Sequence, residues 1–116
     1  MKILKKETIA MGIRKDVLKI AKCIVQKKPE EIWVVSANVL IAKKYWGRLI
    51  EIVPEVFKII KPRFISSRET MIMGLNSQNT IILKCGPWWK NPIYKSNLFK
   101  QYIKDAKQTF SISELP

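Results

Sequence analysis

The sequence predicts a single α+β domain over residues 1–116, with a small, mainly antiparallel sheet that includes a β-hairpin and about three helices packed on it. Three observations lead there. Apolar residues recur at helical spacing in separate stretches bounded by prolines and capping residues. A short β-branched run, Glu31–Ser36, lies between the first two of these stretches. Two further apolar runs, Met71–Leu75 and Thr80–Cys85, flank Asn76-Ser77-Gln78-Asn79, the pattern of a hairpin with a short polar loop.

Taken in order, the first helix spans roughly residues 13–28 and extends earlier if its pattern continues. Ile13, Val17, Ile20, Ala21 and Ile24 fall on one face and Lys15, Lys19 and Lys22 on the other, with Pro29 as the stop. Glu31–Ser36 follows as a strand. Ser36 or Asn38 caps a second helix, whose inner stripe is Val39, Ala42, Trp46, Leu49, Ile50 and Val53. Lys44, Arg48 and Glu51 point outward. Pro54 opens a short helix to Ile60, ended by Pro62, and Arg63–Ser66 forms a short strand before the hairpin.

Both hairpin runs are apolar throughout instead of alternating. Their sheet is therefore expected to be covered on both sides, by helices on one and by a second copy of the chain on the other, which suggests a homodimer. Gly86–Pro92 is a loop with two tryptophans at its tip. Ser96 or Asn97 then caps a last helix to about Gln108, with Leu98, Phe99, Tyr102, Ile103 and Ala106 inside and Lys100, Lys104 and Lys107 outside. The tail, about residues 111–116, has no pattern and is expected to fray. The element order also matches a winged helix. That alternative ranks second, because Pro54–Ile60 is too short and apolar to read bases and the hairpin too apolar for an exposed wing.

The composition is globular: 47% of residues are hydrophobic and 27% charged, enough to bury a core without disulfides or a structural metal. The charge is lopsided. Twenty-two Lys and Arg against nine Asp and Glu leave a formal +13. Heavy use of Lys and Ile is also what an A/T-rich coding sequence would give, so the placement of the charge matters more than its sum. An excess of this size resists compaction unless an external polyanion neutralises it, and a phosphate backbone is the commonest. Cys23 and Cys85 stand apart in apolar runs and are expected as buried free thiols. There is no histidine and no cysteine pair at ligand spacing, so neither a metal nor another cofactor is expected. The start, Met1–Lys6, lacks the apolar stretch of a signal peptide, and no run of about 18 apolar residues exists to span a bilayer. The expected setting is intracellular, cytoplasmic or the interior of a host cell, without a membrane partner.

Catalysis is not expected. The chain lacks the usual general base near neutral pH, Asp occurs only at Asp16 and Asp105, and there is no glycine-rich phosphate loop. A metal-dependent nuclease often places an acid two residues before a strand lysine, but Ile82 holds that position relative to Lys84. Only a convergence of Glu51, Glu55 and Glu69 in space would revive a carboxylate-dependent nuclease.

Binding is better supported. Lys15, Lys19 and Lys22 repeat at i, i+4 and i+7, as do Lys100, Lys104 and Lys107, and each set makes a row of ammonium groups along one helix side. Such rows also suit the solvated face of an amphipathic helix. Trp88, Trp89, Lys90, Tyr94 and Lys95 set aromatic rings beside lysines on a proline-braced loop, which suits stacking on unpaired bases. A ring pair folded back as a lid on the core is the structural alternative. Trp33 and Trp46 lie on apolar faces and are expected in the core. Arg63 and Arg68 flank the hairpin, where either can hold a phosphate or pair with Glu69 or a carbonyl. The expected function is nucleic-acid binding, to DNA or RNA and mainly through the phosphate backbone, as a small accessory or viral protein or a ribonucleoprotein component. The alternative is a small basic interaction or inhibitor protein that docks on an acidic protein.

Overall fold

The computed structural model describes residues 2–116, with side chains described from Lys15 onward. Helix α1 (Lys2–Lys27) begins well before residue 13. It ends where Lys28 turns to a positive φ of 47° and returns its N–H to the Ile24 carbonyl at 3.0 Å, with Pro29 preventing continuation. Strand β1 (Glu31–Val35) and helix α2 (Val39–Ile52) follow, the latter capped by Asn38, whose side chain accepts from the Ile41 N–H. Helix α3 (Pro54–Phe57) is one turn, shorter than the expected run to Ile60, and strand β2 is only Arg63–Phe64. Then come a 3₁₀ turn at Glu69–Met71, strand β3 (Thr80–Cys85), 3₁₀ turns at Trp88–Lys90 and Pro92–Lys95, helix α4 (Asn97–Asp105) and strand β4 (Gln108–Ile112).

The sheet corrects the expected fold class. Its four strands run in the order β2-β1-β3-β4, and every pairing is parallel, making this an α/β fold without a hairpin. Met71–Leu75 is not a strand. It finishes a 3₁₀ turn and bends through Gly74 at φ 80°, burying Ile72 while Met71 and Met73 are each 63% exposed. With no neighbour of opposite direction, β3 pairs instead with β1 and β4. The winged-helix alternative falls with the hairpin. The last helix is also shorter than expected: it stops at Asp105, and Thr109-Phe110-Ser111-Ile112, a period-two alternation, forms part of β4, which takes in Ser111 and Ile112 of the tail expected to fray.

The apolar character of β3 on both faces has a cause within one chain. Ile32, Val34, Ile81, Leu83 and Cys85 meet Val17, Ile20, Ala21, Leu49 and Phe57 of α1, α2 and α3 on the first face. Trp33, Val35 and Ile82 meet Ile72, Ile93, Phe99 and Tyr102 on the second. A two-sided apolar strand is what a parallel sheet under helices requires, so that feature no longer asks for a second copy.

The connections define where the sheet's order reverses. The link from β1 to β2 passes over the first face through α2 and α3, and the link from β3 to β4 passes over the second through α4. The two links leave adjacent strands in opposite directions, so the carboxyl ends of β1 and β3 flank a topological switch point, where sheets of this class open a crevice for ligands. Gly86, just past β3, has φ 54° and donates its N–H to the Ile112 carbonyl at 2.7 Å, and a Cβ there would come 2.6 Å from the Tyr45 hydroxyl. Gly86→Ala is expected to lower stability by about 1–3 kcal/mol, read as a lower urea midpoint at unchanged slope.

Candidate nucleic-acid interface

At the switch point, the chain leaving β3 cannot run straight on, because Gly86 bends it and Pro87 fixes the next φ. One 3₁₀ turn follows. Trp88 N–H donates to the Gly86 carbonyl at 2.9 Å, Lys90 N–H to Pro87 at 3.0 Å and Asn91 N–H to Trp88 at 3.0 Å. Asn91 is buried and secures the turn from below. Its Nδ2 donates to the Ser36 carbonyl at 2.9 Å, and its Oδ1 accepts from the Ile93 N–H at 3.0 Å. The loop after β3 is thereby tied to the end of β1.

The two indoles meet edge to face, with centroids 5.0 Å apart and planes at 83°. Trp88 is half-buried and carries the Lys84 ammonium 5.2 Å from its ring centre, while Trp89 is 60% exposed. The pair therefore divides between an anchored ring and a presented one. Lys84 is the participant that the sequence did not single out for binding. Its signal is a lysine at the end of an apolar strand, four residues before a tryptophan, where the chain reverses.

Of the remaining predicted residues, Lys90, Tyr94 and Lys95 belong to this loop and the others do not gather here. Lys15, Lys19 and Lys22 are exposed along α1 on the first face, and Lys100 and Lys104 along α4 on the second. The two rows thus lie on opposite sides of the sheet. Lys107 falls past the end of α4 and leaves its row. Its Nζ donates to the Lys27 carbonyl at 3.0 Å, and Lys27 Nζ reaches Gln108 Oε1 at 3.0 Å, which closes the carbonyl end of α1 against β4. Lys90 and Lys95 are exposed around the aromatic loop.

Arg63 pairs with Glu31 at 2.9 Å, and the same carboxylate accepts from the Trp33 indole N–H at 2.9 Å. Arg68 is exposed after β2, with its backbone N–H on the Ser66 hydroxyl at 3.2 Å. Glu69 takes its hydrogen bond from Ser96 and not from Arg68. Tyr94 is not a free stacking ring. It packs edge to face on Phe99 at 5.3 Å, its hydroxyl is buried without a partner among the described residues, and burial pushes its ionisation upward. Trp33 and Trp46 are in the core.

Glu51 pairs with Arg48 on α2, Glu55 lies on α3 and Glu69 sits across the sheet beside Ser96. The three carboxylates do not converge, and among the described residues no group of three or more His, Cys, Asp or Glu could hold a metal. Burial pushes the Cys85 thiol up to about 12, leaving it protonated near neutral pH. No described helix is long and apolar enough to cross a membrane. No family model, curated protein or solved structure matches the chain.

Two outcomes follow from this geometry. Asn91→Ala leaves the Ser36 carbonyl and the Ile93 N–H short of their buried partner and is expected to cost about 1–3 kcal/mol in urea unfolding. Trp88 and Trp89 emission should shift with it. Arg63, chiefly by its hydrogen bond, holds the Glu31 carboxyl below its ordinary value. A depressed carboxyl stabilises the fold above its unfolded pKa and loses that contribution as pH falls through the folded one. Glu31→Gln should therefore be less stable than the parent by about 0.2–1 kcal/mol at pH 7, since the pair is partly exposed, and the gap should narrow as pH falls through the carboxylate range.

Proposed function

We propose that the chain binds nucleic acid, chiefly through phosphate contacts, as a non-catalytic protein of the cell or host-cell interior: a small accessory or viral protein or a ribonucleoprotein component. The observation that carries this is the scarcity of internal neutralisation. Among the described residues there are two ion pairs, Arg48–Glu51 and Arg63–Glu31. The exposed cations Lys15, Lys19, Lys22, Lys90, Lys95, Lys100 and Lys104 have no acidic partner among those residues. Cations on both helix layers favour affinity without sequence reading, because phosphate contacts orient a strand but carry no base information. The rows on α1 and α4 then serve separate stretches of backbone and not one continuous track.

A second reading, docking on an acidic protein, draws on one feature. Leu18, Ala21, Val25 and Val56 line a shallow groove of about 350 Å³ between α1 and α3, with Lys22 at its rim. An interface of that kind depends on a few anchors, so one substitution such as Leu18→Ala should abolish it. Phosphate binding instead spreads over many lysines.

The test is binding to labelled single-stranded DNA, duplex DNA and RNA from 50 to 200 mM salt. With three phosphate contacts, affinity should fall by about 20- to 40-fold across that range, linearly in log–log form. Lys100→Ala and Lys104→Ala should each weaken binding, roughly additively, and flatten the slope. Absence of binding to all three probes at 50 mM salt would sink the proposal.

A further inference from the structure

We infer that Trp89 is a stacking platform for one unpaired base, so that the substrate class is single-stranded nucleic acid; this rests on the nucleic-acid reading above. Three separate observations converge on the ring. The first is its exposure at 60%, which leaves a large apolar surface in water on a loop whose neighbour Trp88 is half-buried. The second is its fixity. The turn beneath it is closed by backbone hydrogen bonds, braced by Pro87 and Pro92, and pinned by buried Asn91 to the Ser36 carbonyl. Trp88 holds the ring edge to face, and Lys84 lies over Trp88 in turn. A ring already held in place loses little conformational freedom when a flat partner stacks on it. The third is location, at the carboxyl end of β3 beside the switch point.

The partner must then be flat, aromatic and attached to negative charge. A base on a phosphate backbone meets all three requirements, with Lys90 and Lys95 exposed on the same loop to take neighbouring phosphates. Duplex nucleic acid does not, because its bases are already stacked on one another. Tyr94 cannot add a second platform, since its ring is packed on Phe99 and its hydroxyl is enclosed. The site therefore takes one base and not a run of them, while the rest of the strand is held by charge.

The experiment compares the parent, Trp89→Ala and Trp89→Phe on three probes at fixed salt: a thymidine 12-mer, the same 12-mer with abasic sites, and a 12-base-pair duplex. Trp89→Ala should lose about ten- to a hundredfold on the thymidine strand and less than twofold on the duplex. Trp89→Phe should retain most of the single-strand affinity. The parent should prefer the thymidine strand to the abasic one, and Trp89→Ala should lose that preference. Equal losses on strand and duplex, or a preference for the thymidine strand over the abasic one that survives in Trp89→Ala, would overturn the inference while leaving phosphate-directed binding intact. Failure of the parent to bind any probe at 50 mM salt would remove both readings together.

Discussion

Strands β1 and β3 bury apolar side chains on both faces, and every other element takes its position from that constraint. Ile32, Trp33, Val34 and Val35 in one strand, and Ile81, Ile82 and Leu83 in the other, are shielded from water on both sides. Each residue of this type contributes roughly 1.5–3 kcal/mol only if a cover exists on its own side of the sheet. The chain supplies both covers. On the first, Trp46 meets Phe57 edge to face at 5.3 Å, locking α2 to α3 above the sheet. On the second, Trp33 meets Tyr102 edge to face at 5.3 Å, and the Tyr102 hydroxyl donates to the Ile72 carbonyl at 2.9 Å, so that a strand, α4 and the turn after β2 share one junction.

Parallel pairing has a second effect, on where chemistry can sit. In an antiparallel sheet, successive loops alternate between the two ends. Here the loops that leave β1, β2, β3 and β4 all depart from the same end, so Ser36, Arg68, the Trp88–Lys90 turn and Glu114 belong to one side of the molecule. Arg63 and Lys107 enter their strands from the opposite end, where one is neutralised by Glu31 and the other caps α1. At that end both cations serve the fold.

Much of this was legible residue by residue, and the largest error was one of pairing. The start of β1, a cap for α2 at one of two candidates (Ser36 or Asn38, of which Asn38 serves), the burial of Trp33 and Trp46 and the two-sided apolar character of β3 are local properties, and local sequence carries them. The direction of the strand beside β3 is not local. Polar Asn76–Asn79 between apolar runs looks like a hairpin turn, but Met71 and Met73 face solvent while Ile72 is buried and Leu75 partly so, a pattern that a five-residue window does not separate from a strand. Likewise Lys107 continues the spacing of Lys100 and Lys104, which hides the end of α4 at Asp105. In the site, exposure of Trp89 and enclosure of Tyr94 depend on Asn91 and Phe99, which no spacing rule connects to them. Lys84, weighed in the sequence only as a strand lysine, was not proposed for binding because its partner ring is reached only once the chain has turned back.

The same all-parallel ladder has a kinetic side. No strand finds its neighbour locally: the pairing closest along the chain, Ile81 with Gln108, spans 27 residues, and Glu31 with Thr80 spans 49. Loop closure must therefore precede any ladder, which makes assembly slow compared with a hairpin-built sheet of similar size. During synthesis, β1 emerges before either of its partners and β3 before β4. For that interval, two of the most aggregation-prone segments of the chain depend on the helices around them, and on the repulsion between the chain's many lysines, to keep copies apart.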